Sequence, residues 1–298
     1  MNNIILFAIP FFSILVVLEI YVCYKMQSKK YTSWDTFGSL SMGVGNVIIG
    51  IISKGLIFSV YSIIYQYRIF DLELSYSIFF ALFLLDDFCY YWFHRISHES
   101  RLFWASHSIH HSSQKYNLST ALRQTWTGDL SGSFLFWGAM PLLGFKPEWV
   151  MLMKSISLIY QFWIHTELII KLPKWFEFFF NTPSHHRVHH AVQEKYLDRN
   201  HAGILIIWDR MFGTFIAEDE QPIYGLVKNI KTNNPIRIAF HEWTLILKDL
   251  NMNITLIEKL KYIFYPPGWS HDGSRKTSNQ LREEINMKNS EKIQEPFN

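Results

Sequence analysis

SIFFALFLLDDFCYYWFHRISH, residues 77–98, begins as an apolar run and ends in two histidines. An apolar helix needs about 20 residues to cross a bilayer core. This one reads as a membrane helix over 77–93 that delivers His94 and His98 to the surface it reaches. Residues four apart share a helix face, so the two imidazoles point the same way.

The surrounding chain is equally apolar. Of its 298 residues, 49% are hydrophobic and 17% aromatic, and only 18% are charged. Soluble domains carry about 25% charged residues, so an ordinary soluble enzyme is excluded. The net charge of +3 is too small to argue for a nucleic-acid partner. The two cysteines, Cys23 and Cys89, lie inside apolar stretches and make neither a disulfide framework nor a CxxC pair.

Residues 3–24 are long enough to span a membrane. No Lys or Arg precedes the run and no small-residue cleavage site follows it, so it reads as a retained helix rather than a signal peptide. Residues 39–66 form a second apolar stretch, in which Gly43, Gly45 and Gly50 predict close helix packing and Lys54 is an interruption. Residues 131–145 and 148–165 read as a hairpin turning at Lys146-Pro147. The expectation is an all-α integral membrane bundle of about four or five spans. Lys25, Lys29 and Lys30 follow the first span, whereas the next link has Arg68 against Asp71 and Glu73. The positive-inside rule then places 25–38 in the cytoplasm, and counting crossings returns the chain to that side near residues 94 and 165. Three segments result. Residues 1–76 are N-terminal membrane helices, 77–270 a catalytic unit with a cytoplasmic helical cap, and 271–298 a polar tail expected to be disordered.

Ten of the thirteen histidines lie between 94 and 190. His107, His110 and His111 share a helix face, and so do His186, His189 and His190. His165 closes the fifth span, and His185 is a tenth candidate. A tetrahedral zinc takes about four ligands, so eight or more convergent imidazoles argue for two metals in one site. His241 and His271 fall outside the pattern. Imidazole suits zinc, copper, iron and nickel. There is no HExxH to supply a hydrolytic base, and the flanks are aromatic: Tyr90, Tyr91, Trp92, Phe93, Trp104 and Trp163. A hydrocarbon substrate fits such surroundings. Attack on its C–H bonds needs oxygen and a redox metal, for which iron is the usual choice.

Asp87 and Asp209 are the candidate catalytic carboxylates. Asp87 lies two helical turns before His94 and could accept a proton from a ligand imidazole; the alternative is an ion pair within the bundle. Asp209, with Arg210, follows the apolar run ILIIW and could brace the histidine layer or form a structural ion pair. Arg95 and Arg187 read as partners of acidic or phosphate groups. Asn117, Ser119, Thr120, Arg123 and Gln124 form a polar patch suited to a lipid headgroup or a reductant, or to a helix cap. GVGNVIIG at 43–50 misses GxGxxG and lies in a span, which rejects a nucleotide site.

HRISH, HSIHH and HHRVHH resemble the HX3H, HX2HH and HX2HH boxes of the membrane fatty acid hydroxylase and sterol desaturase superfamily. DFCYYWFHR, NTPSHHRVHH and LIIWDRMFGTF extend the likeness. HHSSQKYNLSTALRQ, FWIHTELI, YGL at 224–226 and PPGW at 266–269 resemble its glyceryl-ether-cleaving branch, so the likeness covers about residues 80–270. The resemblance implies a non-haem di-iron oxygenase that hydroxylates a membrane lipid, with two irons and an external electron donor, tetrahydrobiopterin. Beside an ether oxygen, the hydroxylated product would collapse to an aldehyde and an alcohol. Two kinds of alternative remain. One is a sterol desaturase, C-4 methyl oxidase, or fatty acyl or carotenoid hydroxylase; the other is a membrane metal-binding or transport protein.

Overall fold

A computed structural model describes residues 4–294. Its first three helices are α1 (Ile4–Lys25), α2 (Ser33–Gln66) and α3 (Tyr76–Glu99). Among the described residues, these three are the helices long and apolar enough to cross a membrane. Phe7, Phe11, Ile14 and Val17 on α1, and Ile48, Ile51 and Ile52 on α2, are exposed. A helix apolar on all sides needs lipid or a deep core around it, and these outer faces have no protein cover. Ser75 caps α3 by accepting the Ile78 N–H. After Ser100 the chain doubles back into α4 (Arg101–His111), followed by the single turn α5 (Leu118–Ala121).

The expected hairpin is present as two limbs, but the first is not one helix. It descends beside α2 through turns, a 3-10 segment (Ser133–Trp137) and the short α6 (Ala139–Leu143). Hydrogen bonds fix it along the whole of α2. Trp126 Nε1 donates to Met42 O at 3.0 Å, Ser53 to Asp129 at 2.6 Å and Tyr61 to Phe134 O at 2.6 Å. At the far end the Ile69 N–H donates to Leu142 O at 2.8 Å. α7 (Pro147–Trp163) returns over 17 residues, about 25 Å at 1.5 Å per residue. Irregular backbone inside a bundle survives only where protein covers it. Here Tyr61, Leu82, Trp137, Met140 and Met153 form one buried cluster around it. The glycine expectation holds at two of three positions. A methyl on Gly43 would lie 2.7 Å from Leu122 O and one on Gly45 2.3 Å from the Trp126 ring, whereas Gly50 faces only the Lys54 side chain.

The remaining helices form a cap at the end of the bundle where α3 terminates. They are α8 (Lys174–Phe179), α9 (Pro183–His189), α10 (Ile207–Met211), α11 (Pro235–Leu250), α12 (Leu256–Phe264) and α13 (Ser278–Gln294). Buried Arg101 on α4 pairs with Glu242 at 2.7 Å and Asp249 at 2.6 Å on α11, and Arg275 closes the network on Asp249 at 2.7 Å. Breaking such a buried network strands a charge and costs about 3–5 kcal/mol. The tail differs from its expectation, since α13 is helical. Thr277 and Gln280 cap it reciprocally, and Arg282 donates to Leu197 O at 2.5 Å. Local caps and one tertiary anchor hold a segment whose composition alone argues for disorder. Residues 295–298 lie outside the described residues. Two isolated β-bridges, Phe180 with Leu205 and Ala191 with Tyr224, pin the cap loops.

Candidate metal centre

Four segments carry the predicted histidines to one place. The last two turns of α3 bring His94 and His98. The end of α4 brings His107, His110 and His111, the residue pair after α7 brings His165, and α9 with its cap brings His186, His189 and His190. Their ring nitrogens form two sets. His94, His98, His107, His111 and His189 make one, and His110, His165, His186 and His190 the other, with the ligand atoms of each set within 4.8 Å of one another. All nine candidate ligands are accounted for. His185 is not among them; its ring packs on Phe215, because the residue one step from His186 points to the other side of α9.

The spacing fits transition-metal coordination. Imidazoles bound through Nε2 at about 2.1 Å at right angles have nitrogens roughly 3.0 Å apart and ring centres roughly 4.5 Å apart, or roughly 6.4 Å when opposite. The Nε2 separations are 2.9 Å for His94–His107, 3.1 Å for His107–His111 and 3.1 Å for His111–His189. Ring centres around this circuit lie 4.6, 4.8, 4.7 and 4.3 Å apart, and His107 and His189 face each other across it at 6.2 Å. His98 is 4.8–5.5 Å from all four. Four rings thus form a circuit with His98 at a similar distance from each, and the five would together hold one ion. In the other set, His110 and His186 are opposed at 6.4 Å, while His165 and His190 lie between them, 5.2 Å apart. These four would hold a second ion. His98 Nε2 is buried without a hydrogen-bond partner.

Five of the opposite ring nitrogens, those of His94, His98, His110, His165 and His189, are tied down. His165 Nδ1 lies 2.7 Å from Gln161 O and His110 Nδ1 3.3 Å from Arg123 O. Three rings of the five-histidine set meet one short strap, Asp198–His201. His98 Nδ1 meets Asp198 at 3.1 Å, His189 Nδ1 meets Arg199 O at 2.9 Å, and His94 Nδ1 meets His201 O at 2.7 Å. Donating the distal N–H to a carbonyl or carboxylate fixes the tautomer and aims Nε2 at the ion. Asp198 and Asn200 adopt φ of 53° and 55°, a left-handed conformation in which Asp and Asn are enriched. The Asn200 amide bonds His185 O and Ile216 O.

The two aspartates hold the end of this strap and the loop after it rather than the imidazoles. Asp209 accepts the His201 and Ala202 N–H groups at 2.8 Å each, and Thr214 Oγ1 at 2.6 Å. Asp87 accepts the Ile204 and Leu205 N–H groups at 2.8 and 2.9 Å and the Trp208 indole at 2.9 Å. The expectation that Asp87 meets a ligand imidazole is therefore corrected. Its oxygens are spent on backbone 117 residues away, a pairing that helical spacing from His94 cannot reveal. Sequence reasoning also passed over Asp198, Asn200 and His201. The His201 ring is buried beside His98 at 5.1 Å with neither nitrogen bonded, outside both sets. The polar run DRNH was the available signal.

Burial sets the electrostatics. It pushes His107, His111, His165, His186, His189 and His190 well below the usual imidazole range, and the neighbouring imidazoles add to it. His110 falls to about 4 for the same first reason. The rings are thus neutral, the form that binds metals. Burial raises Asp209 to about 6 against the pull of its hydrogen bonds.

The other singled-out residues are structural. Asn117 and Thr120 form a capping box, and Arg123 is buried against Asp35 at 2.7 Å, so the polar patch is a cap. Arg95 pairs with Glu99 and Arg187 with Glu218. His241 faces Glu242, and His271 bonds Tyr262. Tyr90 packs on His94 at 5.3 Å and Trp104 on His98 at 5.0 Å, which gives the five-histidine set an aromatic wall.

Comparison with known proteins agrees with this arrangement. The fatty acid hydroxylase family matches residues 79–214. The chain is 40% identical to alkylglycerol monooxygenase of Homo sapiens over 93% of its own length and 62% of that protein's. For the Xenopus tropicalis protein of that name the figures are 39%, 93% and 61%, and for the Danio rerio one 40%, 88% and 59%. The chain thus spans 59–62% of the length of these relatives. No solved structure matches. Every histidine of both sets lies within residues 79–214, the segment that matches the fatty acid hydroxylase family.

Proposed function

We propose that this protein is a multi-pass membrane di-iron oxygenase that hydroxylates a lipid carbon beside an ether oxygen, cleaving glyceryl ethers. The observation that carries the reading is the pairing of a five-nitrogen and a four-nitrogen set inside the segment that matches the fatty acid hydroxylase family. Two irons held by those sets would supply the reduction of oxygen and the hydroxylation. The overall change takes the substrate carbon R–CH2–O, O2, two electrons and two protons to R–CH(OH)–O and water. The hemiacetal then falls apart into a fatty aldehyde and glycerol. The chain's own residues have three tasks. Neutral imidazoles present Nε2, the Asp198–His201 strap and the Asp87 and Asp209 clamps hold them, and Tyr90 and Trp104 keep one side apolar. The names of the relatives support the ether substrate, and tetrahydrobiopterin is the donor we assign on the same likeness.

We place the site in the cytoplasm. Lys29 and Lys30 share a cavity with Tyr116, which touches His165, so the basic α1–α2 link and the histidines are at one end of the bundle. Basic links stay on the cytoplasmic side. α1, α2, α3, the limb beside α2 and α7 would then be five passes, and residues 77–270 the catalytic unit. The test supplies iron-loaded protein in lipid nanodiscs with a long-chain 1-O-alkylglycerol, oxygen and tetrahydrobiopterin. A fatty aldehyde is expected. Turnover of a sterol with no aldehyde from the ether would overturn the substrate, and no oxidation of any lipid would overturn the activity.

A further inference from the structure

Tyr116 is buried and sits between the metal centre and a surface cavity. One face of its ring stacks on His165, with centres 5.7 Å apart and planes at 25°, and the ring edge meets His190 at 5.2 Å. Its other neighbour is Tyr224, stacked at 4.9 Å and 17°. The phenol donates to Ile164 O at 2.9 Å, directly before His165. His165 and His190 both belong to the four-histidine set. Tyr116 and Tyr224 also line a cavity of about 290 Å³ together with Lys29, Lys30, Lys115 and Glu167. Glu167 receives the Tyr224 hydroxyl at 3.3 Å and faces the Lys30 ammonium at 3.2 Å.

This wall has a chemistry. A carboxylate beside an ammonium group, Glu167 with Lys30, matches a planar ring that offers N–H beside C=O, the edge of a reduced pyrimidinone heterocycle. Glu167 takes the N–H, and Lys30 takes the carbonyl. The volume lies at the lower limit of small-molecule sites, about 300 Å³, which admits one fused ring system and excludes a dinucleotide. We propose that this cavity docks the external electron donor, a reduced pyrimidinone heterocycle, and that the Tyr224–Tyr116–His165 stack couples it to the four-histidine set. The inference rests on the oxygenase reading, which requires such a donor. The donor gives up two electrons and two protons and becomes its oxidised form. The electrons cross the tyrosine layer to the metal centre, and the protons leave through the open cavity to water.

The test uses the full iron-loaded chain in nanodiscs, with tetrahydrobiopterin and reduced flavin mononucleotide as probes. Anaerobic binding is read by tryptophan quenching, and reduction of the ferric centre by stopped-flow absorbance. Glu167→Gln replaces a charge-assisted hydrogen bond and should weaken binding of both probes about tenfold or more, with reduction by dithionite unchanged. Gln114→Trp, at an exposed lining position, should block binding without disturbing the fold. Tyr116→Leu should slow reduction by a bound probe while two metals per chain are retained. If Lys29→Ala weakens the flavin probe alone, a phosphate-bearing donor is indicated; equal binding of both probes to that variant indicates the ring edge alone. Wild-type binding by both Glu167→Gln and Gln114→Trp, or no binding of either probe to the parent protein, would overturn the assignment. These readouts do not use lipid oxidation. A failed oxygenase reading would show instead as no product when dithionite supplies the electrons.

Discussion

Replacing Asp209 by asparagine asks whether the Asp198–His201 strap holds the five-histidine set. Asp209 gives one oxygen to the His201 N–H and Thr214, and the other to the Ala202 N–H. An asparagine has one acceptor oxygen, so its amide group must face one of the two backbone donors. Losing a hydrogen bond to a charged acceptor costs about 1.5–3 kcal/mol, and the stranded buried donor about 1–3 more. Relief of the desolvated carboxylate, which burial raises to about 6, returns part of this. A net loss of about 3 kcal/mol is more than a hundredfold at 1.4 kcal/mol per decade. Transmission to the ion runs through His201 O to His94 alone, so the effect on affinity should fall in the range of about 10- to 100-fold typical of groups that orient ligands. In the four-histidine set, His165 and His110 take their Nδ1 partners from Gln161 and Arg123, outside the strap, so that set serves as the internal control. The assay is metal release from nanodisc protein across a chelator series, read by mass spectrometry, with circular dichroism confirming the helices. His98→Ala and His165→Ala identify which release step belongs to which set. Asp209→Asn should shift the step that His98→Ala removes. An unmoved step, or a shift of the one that His165→Ala removes, would refute the reasoning.

Four further outcomes follow from the same geometry. Alanine at His94, His98, His107, His110, His111, His186, His189 or His190 should abolish oxidation with the protein still membrane-inserted; near-normal turnover in two of the eight would break the ligand assignment. Asp87→Asn should lower thermal stability by several degrees and leave trace activity, because it loosens residues 204–208 without touching a ring nitrogen; an unchanged melting temperature would contradict the clamp. Metal-free protein should lose stability as pH falls below about 6.5. The unfolded imidazoles titrate near 6.5, whereas His110 is held at about 4, so the unfolded chain gains protons first and stability present above that window drains through it; equal melts at pH 7.5 and 5 would contradict this. His241→Ala and His271→Ala should be neutral in turnover and metal content, and loss of a metal in either would show that a ligand had been missed.

The helical class and all nine candidate ligands were legible in the chain because their signals are local. Apolar runs of span length, and histidines at i, i+3 and i+4, need no tertiary knowledge. The spacing of three boxes could bring the imidazoles to one surface, but could not divide them. His110 and His111 are neighbours in sequence, yet they fall in different sets, since successive residues on a helix point about 100° apart and α4 ends between the two sets. The limb from Trp126 to Leu143 was readable as apolar but not as irregular, because its backbone is satisfied by α2 and by its own turns. The roles of Asp87 and Asp209 were hidden for a related reason. A carboxylate's partners are set by what packs against it, and here those partners are backbone amides from a distant loop. Sequence determined which residues can bind metal and that they meet at the end of a bundle. Only the packing of α3, α4 and α9 decided which five imidazoles fall in one set and which four in the other, and that the Asp198–His201 strap orients His94, His98 and His189.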